Sequence, residues 1–283
     1  MLSDGKAGEI AHGGGEVTTA PGGLLETAAA AVQAAGAVIS GAAGFEPRVL
    51  SWASHDIKLE MDRLCEEAIV RSIRACFPND SILSEEAGLL AGEGDQTWVI
   101  DPLDGTVNFA HGLPFYASSV ACVECRPEEL SARWDTATVA AAVSLPASGE
   151  TYLAGRGAGA TLNGRRLALV DHADLSRALV SIGTSVKDHG LPFALRMQEL
   201  FATEAQKVRS LGALAAELAY VAAGRLDALV VRGTNLWDFA ASALIVREAG
   251  GRVSAHELSP GRWLVVAANP GLFQIVDGMA GPP

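Results

Sequence analysis

Apolar positions are dense and alanine-rich over residues 24–40, and Gly41-Ala-Ala-Gly44 closes the run, which predicts a first helix. From Asp62 onward Leu64, Cys65, Ala68, Ile69 and Ile73 recur at helical spacing until Pro78 breaks the pattern, so a second helix ends near Phe77. The next apolar runs are only three or four residues long and end in acids. Ile82-Leu83-Ser84 precedes Glu85-Glu86, and Thr97-Trp98-Val99-Ile100 precedes Asp101. Such runs read as buried strands that deliver carboxylates at their C-terminal edge, where α/β proteins place their sites. Residues 118–123 and 137–145 also read as strands, and 152–169, with Asn163-Gly164 between apolar runs, as a hairpin. Further strands are expected at 179–182, 226–231 and 265–267, and helices at 192–203, 213–223 and 239–249, the last closed by Gly250-Gly251. Mixed hairpin and crossover signals predict a layered α/β protein in two lobes, the change falling between Cys125 and Val139. Residues 1–23 show no periodicity and are expected to form a mobile tail, while 45–55 read as a loop.

Composition narrows the function classes. Of 283 residues, 21 are Lys or Arg and 33 Asp or Glu, a net charge of −12 that argues against nucleic-acid binding. With 49% hydrophobic and 19% charged residues, a sizeable core needs neither disulfides nor a structural metal. Mean hydropathy is positive at +0.24 because of alanine. Glu26, Thr27 and Gln33 interrupt the first helix, so no membrane span is expected. No basic start leads into an apolar run, and the reading is a cytoplasmic protein without a secretory signal. Cys65, Cys76, Cys122 and Cys125 hold one C-x-x-C with no matching pair, which reads as strand packing rather than zinc or redox chemistry.

The densest chemical signal runs from Trp98 to Phe109. Asp101 ends a strand, Pro102 stiffens the exit and Asp104 follows three residues on, so both carboxylates can face a hard cation. Gly105 and Thr106 then open a turn into a helix, and exposed amides there suit an anion. The fragment alone fits an Asx turn with a helix cap equally well. Asp238, ahead of an apolar helix, reads by itself as an N-cap, and Asp62 as a first-turn acid. Glu85-Glu86 and Asp238, added to Asp101 and Asp104, nevertheless put several acids where a two-metal site collects ligands.

In combination, Ser84-Glu85-Glu86, Asp101-Pro-Leu-Asp-Gly-Thr106, Trp237-Asp238-Phe-Ala-Ala241 and Glu248-Ala-Gly-Gly251 resemble both signatures of the inositol monophosphatase family of metal-dependent phosphatases. The resemblance spans residue 24 to the C-terminus. It implies an αβαβα sandwich of the inositol monophosphatase/fructose-1,6-bisphosphatase type, with an N-terminal lobe over 24–134 and a C-terminal lobe over 135–283 that contributes Asp238. It also implies two or three Mg2+ ions, lithium sensitivity and a homodimer. Glu85, Asp101 and the Leu103 carbonyl would hold one ion, and Asp101, Asp104 and Asp238 a second, with Glu86 in support. Glu85 would thus join the catalytic set with Asp62 and Thr106, the latter two orienting and deprotonating the attacking water. The amides of Gly105 and Thr106 would take the phosphate, with Asp238 also on the substrate side.

Several positions depart from the family pattern. Lys58-Leu59 stands where Val-Thr is common, Val231 where inositol-specific members carry Glu, and Gly212-Ala213-Leu214 in place of Gly-Thr-Ala. The 45–55 loop lacks the expected lysine, a role open to Arg48. Arg232 is weighed as a contact for a second phosphate and read instead as a strand-end residue. His111 is expected either to support the site from behind or to lie at the surface, rather than to bind a metal. The resulting expectation is a phosphomonoesterase for a small phosphate ester, with inositol monophosphate as the family default. Histidinol phosphate, fructose 1,6-bisphosphate and 3′-phosphoadenosine 5′-phosphate are alternatives. A non-catalytic, phosphate- or protein-binding descendant is the second reading, against which the presence of Glu85, Asp101, Asp104 and Asp238 weighs.

Overall fold

The structure, a computed structural model, describes residues 23–41, 49–53, 56–185 and 188–281. The expected tail, Arg48 and the Lys58 side chain lie outside the described residues. Helices are α1 (Leu24–Gly41), α2 (Glu60–Cys76), α3 (Thr106–Ala110), α4 (Leu130–Ala137), α5 (Gly190–Glu204), α6 (Leu214–Ala222), α7 (Leu236–Glu248) and α8 (Pro270–Ala280). The first two strands, β1 (Val49–Ala53) and β2 (Asp56–Leu59), pair as an antiparallel ribbon where the sequence read as a loop.

One sheet contains β3 (Ser81–Ser84), β4 (Gly88–Leu90), β5 (Thr97–Asp104), β6 (Ala117–Val123), β7 (Thr138–Leu145), β8 (Glu150–Gly155), β9 (Gly159–Leu162) and β10 (Arg165–Arg166). Their order is β10-β9-β8-β7-β6-β5-β3-β4, with only β3 and β5 parallel. Asn163 and Gly164, both at positive φ, make the turn between β9 and β10, as an Asn-Gly pair should. The second sheet contains β11 (Leu179–Ile182), β12 (Lys207–Arg209), β13 (Ala228–Thr234), β14 (Arg252–Ser259) and β15 (Arg262–Ala268), in the order β12-β11-β13-β15-β14. Sheet membership therefore changes between Arg166 and Leu179, later in the chain than the polar 125–139 segment. That segment instead forms α4, whose Leu130, Trp134 and Ala137 are buried.

Three cores stack these layers. The first joins Ala28, Ala31, Val32, Ala35 and Ile39 of α1 and Cys65, Ile69 and Ile73 of α2 to one face of the large sheet. By length and composition α1 could cross a membrane, but its apolar stripe is spent in this core. The second core fills the space between the two sheets with α6 and α7, and the third covers the far face of the small sheet with α5 and α8. The architecture is thus the αβαβα sandwich. Helix α7 is buried from Phe239 through Val246, which is why its sequence is apolar all round. Ala215, Ala216, Ala219 and Ala222 of α6 meet Ala240, Ala241 and Ala243 of α7 in the same core, so small residues at the centre account for the positive mean hydropathy. Cys122 and Cys125 are buried free thiols, as strand packing requires.

Candidate active site

The parallel pair β3 and β5 delivers the first two acids. Ser84 is in register with Ile100, and the Glu85 amide donates to the Ile100 carbonyl at 3.3 Å, so Glu85 and Asp101 leave the sheet side by side. A bulge then follows: Asp101 pairs with Ser119 but Asp104 with Ala117, three residues against two. In an unbroken strand, residues three apart point to opposite faces. The extra residue restores the parity of i and i+2 and brings Asp101 and Asp104 to one face. Pro102 sits in this bulge, its carbonyl accepting from Ser118 Oγ at 2.7 Å, while Asp101 Oδ1 accepts from the Leu103 amide at 3.1 Å.

The third acid comes from across the chain. Carboxylate oxygens of Glu85, Asp101 and Asp238 lie within 4.8 Å of one another. Asp238 is not the N-cap expected from sequence: α7 begins at Leu236, Asn235 caps it, and Asp238 is its third residue. From there Asp238 Oδ2 reaches back to accept from the Asn235 amide at 2.8 Å and from Thr234 Oγ1 at 2.5 Å, the use a carboxylate commonly finds at that position.

Asp104 stands beside this trio with both oxygens committed to α6. Oδ1 accepts from the Leu214 amide at 2.9 Å and Oδ2 from the Ala216 amide at 3.2 Å. An acid from the large sheet thereby holds the N-terminal amides of a helix that packs against both sheets. Two residues the sequence reading passed over complete the junction. Glu217 Oε1 accepts from the Gly212 amide at 2.8 Å, and its other oxygen accepts from Ser181 Oγ. Asn108 Nδ2 donates to the carbonyls of Phe115 at 2.8 Å and Leu211 at 2.7 Å. A lone acid inside the otherwise apolar Leu214–Ala222 was the available signal for Glu217. Asn108 gave none beyond its place in the motif.

Thr106 Oγ1 lies 2.9 Å from the Leu103 carbonyl and 3.3 Å from Asp62 Oδ1, and Asp62 Oδ2 accepts from the Leu59 amide at 2.6 Å. Asp62 is thus oriented by the start of α2 and presented to Thr106. Gly105 joins the bulge to α3 at φ +84°, and a Cβ there would stand 2.8 Å from Ala213 Cβ. Gly105→Ala is therefore expected to cost about 2 kcal/mol and to lower Tm by roughly 4–6 °C. A thermal melt indistinguishable from wild type would show that the turn tolerates a side chain.

Burial is the largest influence on these acids. It pushes Glu85 up to about 8, reinforced by the charges of Asp238, Glu86 and Asp104. Asp104 is also pushed up to about 8, by burial and then Asp238, although the α6 amides pull the other way. Asp101 is held well above the usual carboxylate range by burial and by Glu85. Glu85 and Asp101 also share a side-chain hydrogen bond. A group of carboxylates offering oxygen donors alone suits a hard divalent cation. His111 is exposed at the end of α3.

Val231 is buried, and a Cβ on Gly183 would come within 2.6 Å of its Cγ2. Arg232 is engaged elsewhere: Nε donates to the Asp188 carbonyl at 3.0 Å, the guanidinium lies 3.6 Å from Asp188 Oδ2, and Cζ stacks over Phe193 at 6.0 Å.

Comparison with known proteins agrees with this layout. A family model described as the inositol monophosphatase family matches residues 23–274. The protein "Nus factor SuhB" of Pseudomonas aeruginosa is 40% identical over 230 residues, covering 77% of this chain and 80% of that protein. The "Fructose-1,6-bisphosphatase/inositol-1-monophosphatase" of Thermotoga maritima is 40% identical over 199 residues, covering 70% and 71%. The crystal structure of the extragenic suppressor protein suhB from Bartonella henselae superposes with a TM-score of 0.79 at 28% identity, over 89% of this chain and 95% of that one. A match over nearly the whole chain, on a shared fold, with acids from β3, β5 and α7 drawn together, places the chain in the inositol monophosphatase family.

Proposed function

We propose that this chain is a Mg2+-dependent phosphomonoesterase that hydrolyses a small phosphorylated metabolite with water. The observation that carries the reading is the convergence of Glu85, Asp101 and Asp238 within 4.8 Å, with Asp104 turned to the face of Asp101 by the bulge. Glu85, Asp101, the Leu103 carbonyl, Asp104 and Asp238 would hold two or three ions, and their all-oxygen chemistry fits that role. When bound, such ions neutralise the phosphate charge and acidify water. The chain's own part is position and proton transfer. The amides of Gly105 and Thr106 would hold phosphate oxygens, the Thr106 hydroxyl would orient the attacking water, and Asp62 would accept its proton.

Inositol monophosphate is the family default. Val231 and Ala213 stand where inositol-specific members carry Glu and Thr, and Leu214 adds bulk, which favours an ester with fewer hydroxyls near the leaving oxygen. Arg232, held by Asp188, supports a single-phosphate substrate over a bisphosphate. The test is phosphate release from inositol 1-phosphate, histidinol phosphate, fructose 1,6-bisphosphate and 3′-phosphoadenosine 5′-phosphate, with Mg2+ or EDTA. Release that requires Mg2+ is expected, with fructose 1,6-bisphosphate a poor substrate. No release from any of the four by folded, Mg2+-loaded protein would sink the reading. The name "Nus factor SuhB" borne by similar proteins favours a second reading, a role as a protein factor, to which that negative result would shift the weight.

A further inference from the structure

Glu66 lies on α2 one turn beyond Asp62, and a single oxygen of its carboxylate, Oε1, accepts from both Ser84 Oγ and the Ala87 amide, the latter at 2.9 Å. These two donors bracket Glu85 and Glu86. Ser84 is fully buried, and its Oγ in turn accepts from the Glu86 amide at 3.4 Å. The turn that carries Glu85 joins β3 to β4, with Ser84 paired to Gly88, so Glu85, Glu86 and Ala87 lie beyond the β3–β4 pairing, and only the Glu85 amide still reaches β5, at the Ile100 carbonyl. Residues i and i+4 of a helix share a face. One rigid turn of α2 thus fixes Asp62 toward Thr106 and Glu66 toward the Glu85 turn.

We propose that Glu66 is a positioning residue for the metal centre, pinning the Ser84–Ala87 turn so that the Glu85 carboxylate stays aimed at Asp101 and Asp238. The proposal rests on reading that cluster as a divalent-metal site. Glu66 acts through hydrogen bonds accepted by its oxygen, and its charge is incidental.

The test is Mn2+ titration of the metal-free full chain followed by electron paramagnetic resonance, for wild type, Glu66→Ala, Glu66→Gln and Ser84→Ala, with thermal melts in EDTA alongside. Glu66→Ala is expected to weaken Mn2+ binding by about 10- to 100-fold, the usual cost of losing a group that orients a ligand. Glu66→Gln keeps an oxygen that accepts the same two hydrogen bonds and should stay within about threefold of wild type. Raising Mg2+ should restore phosphate release by Glu66→Ala, which a general loss of structure would not permit. Wild-type affinity in Glu66→Ala, or a Gln variant as weak as the Ala variant, would overturn the proposal. If Glu66→Ala does not fold, Ser84→Ala decides in its place: weaker Mn2+ binding supports the pinning and unchanged binding overturns it. Wild type that binds no Mn2+ would instead remove the metal-site reading on which the proposal stands, and is recognised before any variant is compared.

Discussion

Asp101→Asn is expected to lower Mg2+-dependent phosphate release by at least about 10³-fold while raising the melting temperature of the metal-free protein. The two effects have opposite signs because they come from the same charge. Asp101 is buried, its neighbours Glu85, Asp104 and Asp238 all push its ionisation up, and it stands on both proposed metal ligand sets. Removing a ligand that holds several kcal/mol of transition-state charge costs about tenfold in rate for each 1.36 kcal/mol lost, so about 4 kcal/mol gives the stated factor. Asparagine is nearly isosteric and keeps an oxygen to accept from the Leu103 amide, so the bulge that places Asp104 and Gly105 survives. The metal-free protein then carries one acid fewer in the cluster, and like-charge repulsion and desolvation both fall. This is the trade-off expected where a site is strained for function. Phosphate release at saturating Mg2+ and melts in EDTA measure the two arms. Activity within tenfold of wild type would remove Asp101 from the catalytic centre, and a lower melting temperature would show that it serves the fold instead.

The parts legible in sequence are those whose signal is local. Short apolar runs ending in acids marked β3 and β5, and a single helical stripe marked α2, because burial on one face leaves its period in the chain. Helix α4 left almost no such trace. Its Leu130, Trp134 and Ala137 span only eight residues amid charge, and the burial of Trp134 depends on Phe239 of α7 at 5.0 Å and Trp263 of β15 at 6.0 Å, partners far along the chain. Helix α8 did carry a readable start, Asn269 as cap followed by Pro270. The site divides the same way. Its acids were legible as motif residues, but the bulge that turns Asp101 and Asp104 to one face appears only once β5 is paired with β6. Glu66, Glu217 and Asn108 do their work through partners from other elements, such as Ser84, Ser181 and Leu211, and no spacing within the chain announces them.

Mg2+ should raise the melting temperature, and by more at pH 8.5 than at pH 6. In the metal-free protein Glu85 and Asp104 sit near 8 and Asp101 is raised as well, against ordinary values near 4 in the unfolded chain. The folded state therefore binds more protons than the unfolded state between about pH 4 and 8, and its stability falls as pH rises through that window. The cause is burial first and then repulsion among the neighbouring acids. A bound divalent ion supplies positive charge, so it competes with those protons and gains ground as they leave. At an Mg2+ concentration a hundred times its Kd the stabilisation is about 2.7 kcal/mol, roughly 5–10 °C in Tm for a chain of this size. Thermal melts in EDTA and in Mg2+ at pH 6, 7 and 8.5 would give three pairs of values. The EDTA series should descend, the Mg2+ series should stay level, and the gap between them should widen. An EDTA series that rises with pH, or a gap that closes, would mean that these carboxylates find their countercharge within the protein, and the cluster would then be a structural network with no call for a metal.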